Sequence, residues 1–176
     1  MAYNDPQELC LIQTLTASTS ATISFTSGIG SNFNVYVVKL RNILPSSNAV
    51  TLRMLWSTNG GSSYLSSGYK WAMINSVSTG LSQDGSNSTV AVQVCNSMSS
   101  TAGRVMNGEI ILYELNNSNF KTAFCYTDKQ GSSGNMEGQS VMGSHTGTTA
   151  VNAIRFQAGS GNIASGTFSL YGVNEP

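Results

Sequence analysis

Residues able to carry acid–base chemistry near neutral pH are scarce: a single histidine, His145, stands in the segment GSHTGT of a 176-residue chain. A lone histidine among Gly, Ser and Thr reads as a solvated loop residue, because general acid–base work needs partners to pass the proton on. The string Gly143-Ser144-His145-Thr146-Gly147 has the spacing of a nucleophile elbow, but histidine takes the serine's place and no helical period follows. Carboxylates occur at Asp84, Glu109, Glu114, Asp128 and Glu137, and their sequence spacing sets no two at the separation glycoside hydrolysis requires. Glu109 and Glu114 are expected on strand surfaces. Cys10, Cys95 and Cys125 share no CxxC spacing, cannot all pair within one chain, and each sits in an apolar run, so all three are expected as reduced core thiols. There is no Asp-x-Asp-x-Asp loop, and Gly28-Ile29-Gly30 and Gly159-Ser160-Gly161 lack a following helix. No metal, no cofactor and no catalysis are expected.

Binding chemistry is better represented. Aromatic faces stack on sugar rings, while Asn and Ser groups satisfy sugar hydroxyls. Tyr64 and Tyr69 flank a turn at 65–68 and Trp71 follows in the same run, so these three are the candidate glycan-binding residues, lining a shallow site if that strand is an edge. The competing reading has Tyr64 and Trp71 closing the end of the core. Trp56 is in phase with Val50, Leu52 and Met54 and is expected inside.

The elements that must position these residues are strands. Short runs with period-2 alternation recur at 9–15, 21–25, 33–42, 49–57, 69–74, 89–95, 108–115, 121–126, 151–157 and 166–173, with Gly, Asn and Ser clusters between them. Asn59-Gly60-Gly61 and Asn107-Gly108 supply residues that tolerate positive φ, and Pro45 closes the third run. Two polar stretches, 76–88 and 128–149, are too poor in apolar residues to read as strands and are expected as surface loops, the kind of segment that often carries function. The fold expected is all-β: one domain over 1–176, an antiparallel two-sheet β-sandwich, jelly-roll-like. Its core is predicted to unite Leu52, Met54, Ile111, Ile154, Phe156, Phe168 and Leu170.

Composition narrows the partners. Charged residues are 9% of the chain, against about 25% in an ordinary soluble domain, and eight basic residues balance eight acidic ones. That balance removes the electrostatic attraction that drives binding to nucleic acid or anionic lipid. It also removes the self-repulsion that keeps soluble monomers apart, which favours a protein held in an assembly. The start, MAYNDPQELC, has no basic segment followed by an apolar one, and no run of residues is long and apolar enough to span a bilayer, so neither export nor membrane insertion is expected.

Three strings carry a family resemblance: VNAIRFQAGSGNIASGTFSLYGV at 151–173, VYVVKLRNILPSSNAVTLRMLWSTNGGSSY at 35–64 and NGEIILYELNNSNFKTAF at 107–124. Together they resemble segments of tailed-bacteriophage virion proteins, tail-fibre-like and head-surface modules among them, with SGNIASGTFSLYG the most specific. The resemblance implies a β-sandwich on the outside of a phage particle, made in the bacterial host cytoplasm where thiols stay reduced. It implies assembly or decoration of the particle, with other virion proteins as partners, and transfers no catalytic residue. A host-surface adhesin that binds a bacterial glycan is the alternative. Low net charge and many strand edges add the expectation of a closed homo-oligomer, a homotrimer.

Overall fold

The computed structural model describes residues 8–174; most of the N-terminal segment read above for an export signal lies outside them. Twelve strands form: β1 Leu9–Ser20, β2 Thr22–Phe25, β3 Val35–Pro45, β4 Val50–Ser57, β5 Tyr69–Val77, β6 Gly80–Thr89, β7 Val92–Met98, β8 Met106–Tyr113, β9 Lys121–Gln130, β10 Met136–His145, β11 Ala153–Ala158 and β12 Ile163–Val173. They make two antiparallel sheets, one of eight strands in the order β1-β12-β3-β8-β9-β10-β5-β6 and one of four in the order β2-β11-β4-β7. The two-sheet sandwich is as expected. Among the described residues its twelve strands divide eight and four between the sheets. No helix long and apolar enough to cross a membrane occurs among the described residues.

The sheets close on one core because most strands' alternation has an apolar inner phase. Leu52, Met54, Ile154, Phe156, Phe168 and Leu170 are fully buried, as the alternation predicts. Phe156 meets Phe25 and Phe168 with ring centroids 6.4 and 5.2 Å away, and Trp56 is fully buried. Ile111 is a correction: Ile110 and Leu112 take the inner phase of β8, so Ile111 points to the outer face. All three cysteines are free, with Cys95 and Cys125 buried and Cys10 half-buried.

Both expected loops prove to be largely strand. The stretch 76–88 is the β5–β6 turn and nearly all of β6, an edge strand with exposed residues along almost its whole length. With water on both sides it needs no apolar phase, so no alternation marks it. The stretch 128–149 contains the end of β9, a short turn and all of β10, whose inner phase is Glu137, Gln139, Val141, Gly143 and His145. Polar inner residues hid that period.

Turn chemistry holds at Gly60 and Gly61, where φ is +71° and +85°. At Asn107-Gly108 it does not. Both residues lie within β8, and Gly108 is needed because a Cβ there would strike the Tyr126 carbonyl on β9.

Candidate interaction surface

The three aromatics expected to gather at one site go separate ways. Tyr69 is fully buried, its hydroxyl accepting a 2.8 Å hydrogen bond from the Trp56 backbone N–H, with Trp56 and His145 rings 5.6 and 4.7 Å away. Burial pushes its hydroxyl pKa up to about 12, with the Trp56 hydrogen bond opposing. It has no free face for a sugar, which corrects the expectation. The cause is the phase of β5, which turns Tyr69, Trp71 and Met73 inward and Lys70, Ala72 and Ile74 outward. Trp71 is half-buried against the core, as in the competing reading, and borders an outer recess. Tyr64 belongs to the other side of the sandwich, its ring capped by the Arg155 guanidinium of β11 at 3.7 Å.

His145 is not a solvated loop residue but the buried last residue of β10. Its Nδ1 accepts from the Gly147 N–H at 2.8 Å, which leaves the proton on Nε2 to be donated to the Ser67 carbonyl at 2.9 Å. Both nitrogens are occupied by backbone, and burial lowers the ring's pKa. Lys121 is buried, donating to the Asn117 and Asn119 carbonyls at 2.5 and 2.6 Å, and burial lowers its pKa. Glu114 accepts from the Asn117 and Asn119 amides, which hold its carboxyl below the usual range. These contacts knot the turn between β8 and β9.

A buried ion pair, Lys129 with Glu137, joins register partners on β9 and β10. Nearby, Gln139 donates to the Asn75 and Asn96 side-chain oxygens and accepts from the Asn96 N–H at 3.0 Å, bridging the two sheets. Lys121 and Lys129 share the inner phase of Ala123 and Cys125; the sequence reading ended that strand at Tyr126 and so missed Lys129. His145, Lys121, Glu114, Lys129, Glu137 and Gln139 all bond to groups within the fold, and among the described residues no cluster of three or more His, Cys, Asp or Glu could hold a metal.

The unusual surface is the outer face of the eight-stranded sheet. Because register partners share a face, one row runs across seven neighbouring strands: Leu11, Tyr171, Val37, Ile111, Phe124, Met142 and Ala72. Tyr113 flanks that row on one side; Tyr126 and Ile74 flank it on the other. Leu11 is 59% exposed, Met142 51%, Ile74 50%, Tyr126 48% and Phe124 38%, while Val37 in the middle of the row is covered by its neighbours and Tyr171 and Ile111 are half-buried, so the apolar surface in water is widest over β9, β10 and β5. Phe124 and Tyr126 stack, centroids 6.0 Å apart and planes within 20°. Charge is sparse. Lys39 and Glu109 pair with each other across β3 and β8, Arg41 is exposed one row beyond Lys39, Lys70 stands at one end of the area and Asp128 at the other. A shallow recess of about 350 Å³ opens in this face, with Phe124, Met142 and Ala72 as its apolar part and Lys70, Asn87, Thr122 and Ser144 around them.

Comparison with known protein families, with curated proteins and with solved structures found no match.

Proposed function

We propose that this chain is a non-enzymatic structural protein on the surface of a tailed-phage virion, acting in assembly or decoration of the particle as a capsid decoration, cement or tail module. The observation that supports it is the apolar outer face of the eight-stranded sheet. A sandwich that worked alone would present polar residues there, and large contiguous apolar patches mark interaction surfaces. The three strings that resemble phage virion segments supply the setting, and the occupied hydrogen-bonding groups of His145 and Lys121 argue for building over catalysis. Other virion proteins and copies of the chain itself are the partners; synthesis in the host cytoplasm suits the three free thiols.

The test is immunogold labelling of purified phage particles with antibody raised against the purified chain. Labelling of the particle exterior is expected; a chain absent from purified particles overturns the proposal.

The recess beside Phe124 favours a second reading, a module that binds a bacterial surface glycan. It offers an aromatic ring with Asn87, Thr122 and Ser144 beside it, the pairing a neutral sugar uses. In that reading Phe124 takes the role expected of Tyr69. Retention of the chain on a host polysaccharide column, lost in Phe124→Ala, is the expected outcome; no retention of the unmodified chain removes the reading.

A further inference from the structure

We infer that the outer face of the eight-stranded sheet is where a second copy of this chain docks, face to face about a two-fold axis. The inference rests on the assembly reading above and adds the identity of the occupant.

Area comes first. Seven interstrand steps of about 4.8 Å and four rows of outward side chains about 6.7 Å apart give about 700 Å² in plan, before side-chain relief is counted. A stable interface takes about 800 Å² from each partner, and homodimer interfaces are the more apolar kind. The whole face, and not a corner of it, matches that requirement.

Charge points to the chain's own copy. The chain has formal net charge zero, so two copies do not repel as wholes. Docking would bury the Lys39–Glu109 pair together, leaving no uncompensated charge from it. Lys70 on β5 and Asp128 on β9 are exposed, two strands apart and three rows apart, one beyond each side of the apolar row. The midpoint between them falls beside Met142 and Ser140 on β10. The two-fold axis that lies in the interface, passes through that point and runs perpendicular to the Lys70–Asp128 line carries Lys70 of each copy onto Asp128 of the other, giving two reciprocal ion pairs on either side of the apolar row.

The two-fold contact differs from the threefold closure expected from the sequence, and mass separates them. Light scattering on the purified full chain at tens of micromolar is expected to give the mass of two copies. Lys70→Asp and Asp128→Lys, both at exposed positions, are each expected to give one copy, because each places like charges together twice. Their equimolar mixture is expected to return to two copies, since the unlike variants restore both pairs. A mass of one or three copies for the unmodified chain, or charge variants that stay dimeric, overturns the inference. Should either variant fail to keep the circular dichroism of the parent, acylation of Lys70 in the unmodified chain decides: slowing with rising concentration supports the interface, and an unchanged rate overturns it. Labelled particles together with a monomeric purified chain would sink this inference alone and leave the virion reading standing.

Discussion

The two sheets turn very different outer faces to solvent. On the four-stranded sheet the outward phase is Thr22 and Ser24 of β2, Arg155 and Gln157 of β11, Arg53 and Leu55 of β4 and Gln93 of β7, polar but for one leucine. Arg155 bonds Ser24 at 3.4 Å and covers Tyr64, so that guanidinium is held against its own sheet. The outward phase of the eight-stranded sheet instead carries one row that is apolar across seven strands, with Tyr113, Tyr126 and Ile74 beside it. Both sheets cover the same core, so packing does not require the difference. One face obeys the inside-outside alternation of an antiparallel sheet and the other departs from it, and the departure marks where the molecule has something left to bury.

The comparison assigns stability to the inner faces and association to one outer face, and mutations can break it. The largest expected effect is Phe156→Ala, which empties the aromatic stack between Phe25 and Phe168 and should cost about 3–5 kcal/mol. Urea unfolding checks it. A cost below about 1 kcal/mol would mean that the inner faces do not carry the fold.

Next comes the polar part of the inner face. Glu137→Ala leaves the Lys129 ammonium buried without its carboxylate and should cost about 3 kcal/mol. Replacing both, Lys129→Met with Glu137→Leu, should recover most of that loss, because an apolar pair of similar size avoids the desolvation cost. Denaturant melts of the three variants test the pair; a double variant no better than the single would show that the ion pair is itself favourable.

A smaller effect follows from His145. Burial holds its folded pKa below the unfolded value of about 6.5, so the unfolded chain binds a proton more readily. Stability is therefore full above about pH 6.5 and is lost as pH falls from there through the folded pKa. Protonation also ends the Gly147 N–H to Nδ1 bond. The melting temperature should fall between pH 7 and 5, and His145→Asn should flatten that slope; Glu114, a carboxylate, acts only at lower pH. An equal slope in the variant would reject this assignment.

What the sequence makes legible follows the same division. Strands with an apolar inner phase, such as β4 and β12, declare themselves by alternation, and so the sandwich and most of its core are readable. Strand β10 carries Glu137, Gln139 and His145 on its inner phase, and β6 has water on both sides, so neither shows a period. Ile111 illustrates the limit: in Ile110-Ile111-Leu112 every residue is apolar, and only the register with β3 and β9 reveals which one faces out. The outer row is invisible for the same reason. Its members are scattered over seven strands, none looks unusual alone, and pairing is what lines them up.

The smallest expected effect on stability lies on that row, and it is the sharpest test of the contrast. Phe124→Thr replaces a ring 38% exposed with a β-branched residue that suits a solvent-facing strand position. The inner neighbours on β9, Ala123 and Cys125, are untouched, and no cavity forms because the ring fills none. The unfolding free energy at micromolar protein, low enough to limit association, should therefore change by no more than about 0.5 kcal/mol. Arg53→Thr on the four-stranded sheet should be similarly mild. The two should part company in solubility and self-association, where only Phe124→Thr should lower the tendency of the chain to associate as concentration rises. A loss above about 2 kcal/mol from Phe124→Thr would make the outer row part of the fold's own support, and the apolar face would then need no partner.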